Sequence, residues 1–222
     1  ERERERERER ERGVSVSASI LPNRRHRRQR YTMMHRRFFT AVGRRGGTKA
    51  ILEGITVIEL ASVLAGPSVT QFLAELGADV LKIENKRTRG DVTRTWRLPN
   101  ESSSSSSGTS SSRTAYFHCC NVGKKSVAVD VTKREGLEIV RDLVKSADVV
   151  VASYKPGDAE KLGLDYETLK AINPSIIYAQ ITGYGSDDER AGYDAVIQAH
   201  AGFQYINGSP SEEEPPCKMP IA

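Results

Sequence analysis

Beyond residue 50 the chain alternates between short apolar runs and stretches with a helical period. Residues 55–60 form a β-branched run of strand length, and residues 79–84 form a second one. Gly66 and Pro67 suit the N-cap and the first position of a helix between these strands. The apolar face of that helix is predicted to consist of Val69, Phe72, Leu73 and Leu76. The pattern predicts a strand, a helix and a strand in succession.

A second unit of the same kind lies further along the chain. Residues 126–130 are predicted to form a strand, and Thr132 with Glu135 three residues later has the signature of a capping box. The helix that follows is predicted to bury Leu137, Val140, Leu143 and Val144. Residues 148–152 then return as a strand.

The order of these elements predicts the fold class. A helix over residues 165–172, stopped by Asn173 and Pro174, leads to a last strand over residues 176–181. Strands that are apolar throughout and separated by helices are typical of a mainly parallel sheet with right-handed crossovers. We therefore expect a Rossmann-like α/β fold, in which ligands bind at the carboxyl ends of the strands.

Charge is distributed unevenly along the chain. Residues 1–47 hold fifteen arginines and six glutamates, a net charge of +9, whereas residues 48–222 carry a net charge of −4. Nucleic-acid binding calls for clustered basic residues and stacking aromatic residues on the folded part, which this sequence lacks. No stretch approaches the roughly 20 apolar residues of a membrane-spanning helix. We therefore expect neither a nucleic-acid nor a membrane partner.

Two segments are predicted to lie outside the packed core. Residues 1–47 are predicted to be a disordered basic tail, because the Glu-Arg repeat has no apolar face to bury. Residues 33–45 contain arginine and hydroxyl residues but no acid, a composition typical of a mitochondrial presequence, with an untargeted basic arm as the alternative. The expected location is mitochondrial, or cytoplasmic under that alternative. Residues 101–113, rich in serine, are predicted to be a flexible surface insertion.

The cysteines and histidines do not form a recognisable metal site. Cys119 and Cys120 are adjacent and lack the Cys-x2-Cys spacing of a zinc site, and Cys217 is distant in sequence. We interpret the cysteines as small buried hydrophobic residues and His118 and His200 as structural residues. We expect no metal.

Candidate chemistry lies in loops at predicted strand ends. The chain contains no Gly-x-Gly-x-x-Gly, Walker A or Gly-x-Ser-x-Gly motif, which argues against a nicotinamide cofactor, a nucleotide P-loop and a hydrolase elbow. The strand-end loops instead combine backbone donors with lysine and arginine, and they are residues 63–67, 85–91, 154–157 and 183–194. This combination suits a phosphate-bearing anion, with solvated surface as the alternative.

Several motifs occur in the order found in one enzyme family. They are Val63-Leu64-Ala65-Gly66-Pro67, residues 76–84, residues 90–96, Lys124-Lys125-Ser126, Gly183-Tyr184-Gly185 and Gly192-Tyr193-Asp194. Over residues 52–222 the chain resembles CoA-transferase family III, the group that includes formyl-CoA and carnitine-CoA transferases. Within this family, residues 93–96 and 181–185 are most similar to the mitochondrial enzymes that use succinyl-CoA and glutarate.

The resemblance implies an activity and an assembly. It implies transfer of CoA from an acyl-CoA such as succinyl-CoA to a carboxylic acid such as a dicarboxylate, through an aspartyl intermediate. The CoA thioester is then a substrate, and no permanently bound cofactor is expected. Residues 48–222 would be an incomplete large domain, the N-terminal half of the family's interlocked homodimer fold.

The resemblance places the nucleophile outside this sequence. In the family, the nucleophilic aspartate follows a segment that resembles residues 215–222, so its position is expected to lie beyond Ala222. We therefore expect the chain by itself to be inactive.

The resemblance also implies site residues. Asp194 matches a family acidic residue beside the reacting centre and is the candidate for orienting substrate or CoA, with a helix-capping role as the alternative. Lys86, Lys155 and Lys161 would face the phosphates of CoA. The remaining expected CoA contacts are Leu64, Ala65, Val129, Asp130, Ser153, Tyr154 and Tyr193.

Two alternatives of different kinds remain open. An α-methylacyl-CoA racemase of the same fold removes and returns an α-proton, for which it needs a histidine where Tyr193 stands. The second alternative is a noncatalytic CoA-binding or assembly subunit. Tyr193 favours the transferase over the racemase.

Overall fold

The protein forms one mainly parallel sheet with helices packed against it. The computed structural model describes residues 14–15, 50–99, 101, 114–208, 214 and 217–219. Its strands are β1 (Val14–Ser15), β2 (Thr56–Leu60), β3 (Asp79–Asn85), β4 (Lys125–Val129), β5 (Val149–Ala152) and β6 (Ile177–Gln180). The spatial order is β1-β4-β3-β2-β5-β6; β1 pairs with β4 in antiparallel fashion, and all other pairs are parallel. The predicted mainly parallel α/β sheet is confirmed.

The helices follow the strands in the predicted alternation. They are α1 (Ala65–Glu75), α2 (Ala115–Cys119), α3 (Arg134–Val144), α4 (Asp158–Leu162), α5 (Tyr166–Ile172), α6 (Asp194–His200) and α7 (Phe203–Ile206). Two 3₁₀ turns, Lys86–Thr88 and Val92–Thr95, follow β3. Within the described parts of the chain, no helix is long and apolar enough to cross a bilayer.

The central strands bury side chains on both faces of the sheet. On one face Ile58, Leu81 and Val150 pack with α3 and α5 in the larger apolar cluster. On the other face a smaller apolar cluster, which includes Val57 and Val80, packs against α1. Because side chains alternate along a strand, Glu59 and Lys82 lie on the face covered by α1.

Helix α1 differs from its prediction. It begins at Ala65 with Leu64 as the N-cap residue, so Gly66 and Pro67 lie inside the first turn rather than at the cap. A Cβ on Gly66 would lie 2.3 Å from the Cβ of Ala61, and this close approach turns the Gly66 side of the helix toward the sheet. Of the predicted apolar face, Phe72 is therefore 62% exposed and Val69 is exposed as well.

Helix α3 has the predicted buried face but not the predicted cap. Val140, Leu143 and Val144 are buried, as expected. The N-cap residue is Lys133, which makes no side-chain capping bond. Thr132 does not cap the helix, because its hydroxyl donates to Asp130 Oδ1 at 2.6 Å.

Other predictions concern single residues and terminal segments. Cys120 is buried, but Cys119 and Cys217 are exposed, so the expectation that all three cysteines are buried is wrong for two of them. The 1–47 tail, apart from the backbone of β1, and all of the 101–113 insertion except Glu101 lie outside the described residues.

Asn173 ends α5 as predicted and also joins it to α3. Its Nδ2 donates to the carbonyl oxygens of Val144 at 3.0 Å and Ala147 at 2.8 Å, and the residue is buried. Free carbonyls at the end of α3 are thereby satisfied by a neighbouring element.

We predict that Asn173→Ala lowers the free energy of unfolding by about 1–3 kcal/mol, because it removes the bond to the Ala147 carbonyl and one of the two bonds to the Val144 carbonyl. Urea unfolding followed by circular dichroism measures the change. The matched control is Asn207→Ala, at an exposed asparagine, which should change the midpoint little. Equal effects of the two substitutions would contradict the role given to Asn173.

Candidate functional site

The residues expected to bind CoA gather at one edge of the sheet. Val129 ends β4, Lys86 follows β3, Leu64 and Ala65 follow β2, and Ser153 follows β5. All four strands are parallel, so these positions lie at neighbouring carboxyl ends. With about 4.8 Å between strands, β4 and β5 are separated by roughly 14 Å. This length suits an extended ligand that crosses several strand ends.

The cations at this edge are exposed to different degrees. Lys155 is exposed and Lys86 is half-buried, and neither ammonium group has an ion-pair partner among the described residues. Lys161 Nζ lies 3.1 Å from Asp158 Oδ1 on the same helix, and this contact raises the pKa of Lys161. Three lysines near the edge are thus accessible to an anion that approaches from water.

The neutral and acidic groups of this edge are held by local contacts. Asp130 accepts hydrogen bonds from the backbone and hydroxyl of Thr132, which lower the pKa of Asp130. Tyr154 packs against the larger apolar cluster, and burial raises the pKa of its phenol. Ser153 donates its backbone N–H to the carbonyl of Leu60 at 3.4 Å, which continues the β2–β5 pairing past the strand end.

A glycine contact positions the turn that carries Asp194. A Cβ on Gly183 would lie 2.2 Å from the Cα of Gly192, so the two backbones touch where side chains would separate them. The chain then enters α6, with Tyr193 as a 70% exposed N-cap residue and Asp194 as the first helical residue. The expected turn from Gly183 to Asp194 is therefore compact.

The carboxylate of Asp194 contacts one residue within α6 and one residue outside it, and it does not cap the helix. It forms an ion pair with Lys218 and accepts a hydrogen bond from Gln198 Nε2 at 2.8 Å. The hydrogen bond from Lys218 has the largest effect and lowers the pKa of Asp194, and the hydrogen bond from Gln198 lowers it further. Asp194 is therefore ionised at neutral pH and fixed in orientation.

The segment expected to lead to the nucleophilic aspartate is described only in part. Of residues 215–222 the structure describes residues 217–219, and Ala222 lies outside the described residues. Met219 donates its backbone N–H to Gln198 Oε1 at 2.9 Å and accepts from Gln198 Nε2 at 3.1 Å. The segment thus lies against α6 beside Asp194, and a nucleophile beyond Ala222 stays a prediction.

Tyr116 on α2 packs against Trp96 and is affected by the charges of Lys218 and Asp194. Its ring contacts Trp96 in an edge-to-face arrangement with centroids 5.1 Å apart. Burial raises the pKa of Tyr116, with smaller effects from the charges of nearby groups that include Lys218 and Asp194. The segment that follows β3 therefore packs against α2 through Trp96 and Tyr116.

A cluster of four buried charges lies beneath the start of α1. We call Glu59, Lys82, Asp91 and Lys124 the buried charge cluster. Lys82 Nζ lies 2.5 Å from Glu59 Oε1, 2.9 Å from Asp91 Oδ2 and 3.0 Å from the carbonyl oxygen of Ala61. Lys124 Nζ lies 2.8 Å from Glu59 Oε2 and 2.7 Å from the carbonyl oxygen of Pro67 in α1. The side chains of all four are almost wholly removed from solvent.

The buried charge cluster is electrically neutral and fully hydrogen-bonded. Each ammonium group has three acceptors, and no buried side-chain polar atom among the described residues lacks a partner. Burial opposes the charge of Lys82, but Glu59 and Asp91 raise its pKa overall. Burial likewise disfavours ionised Asp91, but Lys82 and Thr93 lower its pKa overall. Lys82 and Asp91 therefore remain charged in the interior.

The cluster reaches the turn that precedes α1 through Asp91. Val63 has φ 70°, a left-handed conformation that is unfavourable for a β-branched residue. Such a conformation costs about 1–3 kcal/mol and persists only where the surroundings impose it. The backbone N–H of Val63 donates to Asp91 Oδ2 at 3.1 Å.

A second ionic contact, between Glu84 and Arg94, holds the backbone of Asp91. Glu84 Oε2 accepts from the backbone N–H of Asp91 and from Arg94 Nε, both at 2.7 Å, and Ser126 donates to Glu84 Oε1. Burial by itself raises the pKa of Glu84, but hydrogen bonds from Arg94, Ser126 and Asp91 lower it overall. Strand β3, strand β4 and the turn at Asp91 are thereby joined.

Comparisons with known proteins show the family of this chain. The family model of CoA-transferase family III matches residues 52–222. The chain belongs to CoA-transferase family III. The family match covers strands β2 to β6, the buried charge cluster and the turn at Asp194.

Three relatives place this member within the family. It is 45% identical to a succinate–glutarate CoA-transferase of Agrobacterium fabrum over 78% of this chain and 43% of the relative. It is 42% identical to human succinyl-CoA:glutarate CoA-transferase over 71% of this chain and 34% of the relative. A crystal structure of a CAIB/BAIF family protein from Brucella suis matches with a TM-score of 0.67 and 46% identity, over 78% of this chain and 44% of that one. The chain thus spans less than half the length of these relatives.

Sequence reasoning missed the residues that shape this family III site from inside. Glu59, Lys82, Asp91 and Lys124 were not predicted as site residues, although Glu59 and Lys82 interrupt strands that are otherwise apolar. In the structure these two residues are direct partners in the β2–β3 register. Opposite charges in two adjacent buried strands were therefore a usable signal. No group of histidine, cysteine or acidic side chains in the described ranges could hold a metal ion.

We predict that Lys82→Met lowers the free energy of unfolding by about 3–5 kcal/mol, because it leaves Glu59 and Asp91 buried without their shared cation. Urea unfolding measures the loss, and Glu59→Gln tests the same cluster if Lys82→Met does not fold. The control is Arg134→Met, which removes an exposed pair with Glu138 and should have little effect. Similar small losses for all three variants would contradict the importance of the cluster.

We also predict a specific pH dependence for Glu84. Its pKa in the folded state lies below the ordinary value of 4.5, so its ionised form stabilises the fold above that pH, and this contribution is lost as the pH falls through the folded-state pKa. Glu84→Gln should therefore be less stable than the wild type at pH 7 and should lose less further stability on acidification. Unfolding midpoints between pH 7 and pH 3 measure both slopes. Parallel slopes would show that Glu84 does not contribute.

Proposed function

We propose that the protein transfers CoA from an acyl-CoA, with succinyl-CoA as donor, to a small carboxylic acid, with a dicarboxylate as acceptor. The observation that carries this proposal is the convergence of the predicted CoA residues on the carboxyl ends of β2 to β5. Family membership and the names of the Agrobacterium and human relatives support the donor and acceptor. CoA is a substrate in this proposal, and the protein needs no resident cofactor.

The N-terminus of α1 is the proposed centre of CoA binding. The first backbone N–H groups of an α-helix have no partner inside the helix, and the N-cap residue Leu64 makes no side-chain bond to them. With Ala65 exposed at this end, the donors can meet an oxygen of CoA. Lys86, Lys155 and Lys161 supply charge for the phosphates, while Val129, Asp130, Ser153 and Tyr154 line the same edge.

Asp194 is the proposed orienting residue of the reaction. Lys218 and Gln198 hold its ionised carboxylate in one place, and the exposed Tyr193 precedes it. An aspartate nucleophile, supplied beyond Ala222, would attack the acyl-CoA to give a mixed anhydride and a free CoA thiolate. The thiolate would then form an aspartyl-CoA thioester and release the donor acid, and the acceptor carboxylate would complete the exchange by the reverse steps.

A homodimer and a mitochondrial location complete the proposal. Tyr205 and Ile206 on α7 are 87% and 77% exposed, and apolar surface of this kind supports burial against further polypeptide. The presequence-like composition of residues 33–45 supports the location. The racemase alternative lacks its base, because a tyrosine stands where histidine is needed.

The activity is tested with the protein expressed from its own gene. Incubation with succinyl-CoA and glutarate should give glutaryl-CoA and succinate, detected by liquid chromatography, whereas a 2-methylacyl-CoA should keep its configuration. Epimerisation without exchange would identify the racemase instead. CoA binding without exchange under any donor and acceptor would identify the noncatalytic subunit.

We predict that Lys155→Met weakens CoA binding about threefold to tenfold, because a charge that can meet a phosphate is removed. Isothermal titration calorimetry at low and at moderate salt measures the loss, which should shrink as salt increases. The matched control is Lys145→Met, at an exposed lysine that follows α3 and lies 2.6 Å from Asp142, and its affinity should match that of the wild type. Equal effects at the two lysines would contradict the assignment of Lys155 to the phosphate edge.

A further inference from the structure

The turn between β2 and α1 is held in an unfavourable conformation next to the proposed CoA site. Among the described non-glycine residues, only Val63 and Arg89 have positive φ, and only Val63 is β-branched. Val63 directly precedes Leu64, the N-cap residue of α1. The direction of the first helical N–H groups therefore depends on the backbone of Val63.

Both backbone polar groups of Val63 are held by residues distant in sequence. Its N–H donates to Asp91 Oδ2 at 3.1 Å and lies 3.3 Å from Oδ1. Its carbonyl oxygen accepts from Cys120 Sγ at 3.3 Å. Asp91 is in turn fixed by Lys82 at 2.9 Å and by the backbone N–H of Thr93 at 3.0 Å.

We propose that Asp91 is a positioning residue for CoA binding. Its carboxylate holds Val63 in the left-handed conformation and thereby directs the N–H groups at the start of α1 toward the ligand. Asp91 is 4% exposed, so it acts through Val63 and does not touch the ligand itself. This inference rests on the proposed function, in which that turn binds CoA.

The proposal predicts that substitutions can change the affinity for CoA and the free energy of unfolding independently. Asp91→Asn has a single acceptor oxygen, which cannot serve Lys82, Thr93 and Val63 together, so Val63 should relax and the dissociation constant for CoA should rise about tenfold. Glycine adopts positive φ without strain, so Val63→Gly should keep the conformation of the turn, and its dissociation constant is the reference with which the double variant is compared. In the double variant Asp91→Asn/Val63→Gly, binding should return to within about threefold of that reference.

The same double variant should be less stable than Asp91→Asn. Glycine increases the conformational freedom of the unfolded chain, so the urea midpoint should fall while CoA affinity recovers. A merely structural Asp91 would give a parallel decrease of midpoint and affinity. The matched control is Asp91→Asn/Ser62→Gly, which adds a glycine one position away, where φ is not positive, and should not recover binding.

The experiment uses the full-length protein, calorimetric titration with CoA, and crystal structures of the wild type and Asp91→Asn. Unchanged affinity in Asp91→Asn, or no recovery beyond the Ser62→Gly control, would overturn the proposal. If Asp91→Asn does not fold, Asp91→Glu keeps the charge beside Lys82 but displaces the acceptor by one methylene, and the same loss and recovery are expected. If the wild type does not bind CoA, the proposed function is wrong. The positioning role of Asp91 is overturned separately if Val63 keeps its positive φ in the crystal structure of Asp91→Asn.

Discussion

The ion pair between Glu59 and Lys82 is the contact on which the central strands β2 and β3 depend. Both residues lie on central strands, face each other in the β2–β3 register, and are almost completely buried. An isolated charge in this position would cost several kcal/mol. Each residue has two ionic partners in the cluster: Glu59 pairs with Lys82 and Lys124, and Lys82 pairs with Glu59 and Asp91. Asp91 and Lys124 then bring the total charge to zero. The cluster therefore joins strands β2 and β3, helix α1 and the segment after α2.

The cluster also explains why the lysines of this edge have two roles. Lys82 and Lys124 use all three N–H donors on protein oxygens and have none left for a ligand. Lys86 and Lys155 lie at the outer side of the same strand ends, where charge remains in contact with water. The interior cations fix the backbone around the start of α1, and the surface cations remain accessible to water. A site built on such a rigid support loses little entropy when it binds an extended anion.

Local patterns predicted the strands well because apolar β-branched runs are decided by nearby residues. The parallel sheet and the buried face of α3 followed from them. The start of α1 and the cap of α3 were mispredicted because nearby residues compete with the predicted arrangement: Gly66 approaches Ala61, and Thr132 donates to Asp130. The buried charge cluster depends on strand register, and Val63 depends on Asp91, 28 residues further along. Opposite charges in neighbouring strands indicate the Glu59–Lys82 pair, but nothing in the spacing of one sequence indicates the bond between Val63 and Asp91.

The two ends of the described sheet differ in how they treat apolar surface. On one side of the sheet, β4 is paired with the outer strand β1. At the other edge Ile177 of β6 is 62% exposed, and the nearby chain leads to α7 with its exposed Tyr205 and Ile206. Exposed strand edges and large apolar side chains favour association with other polypeptide.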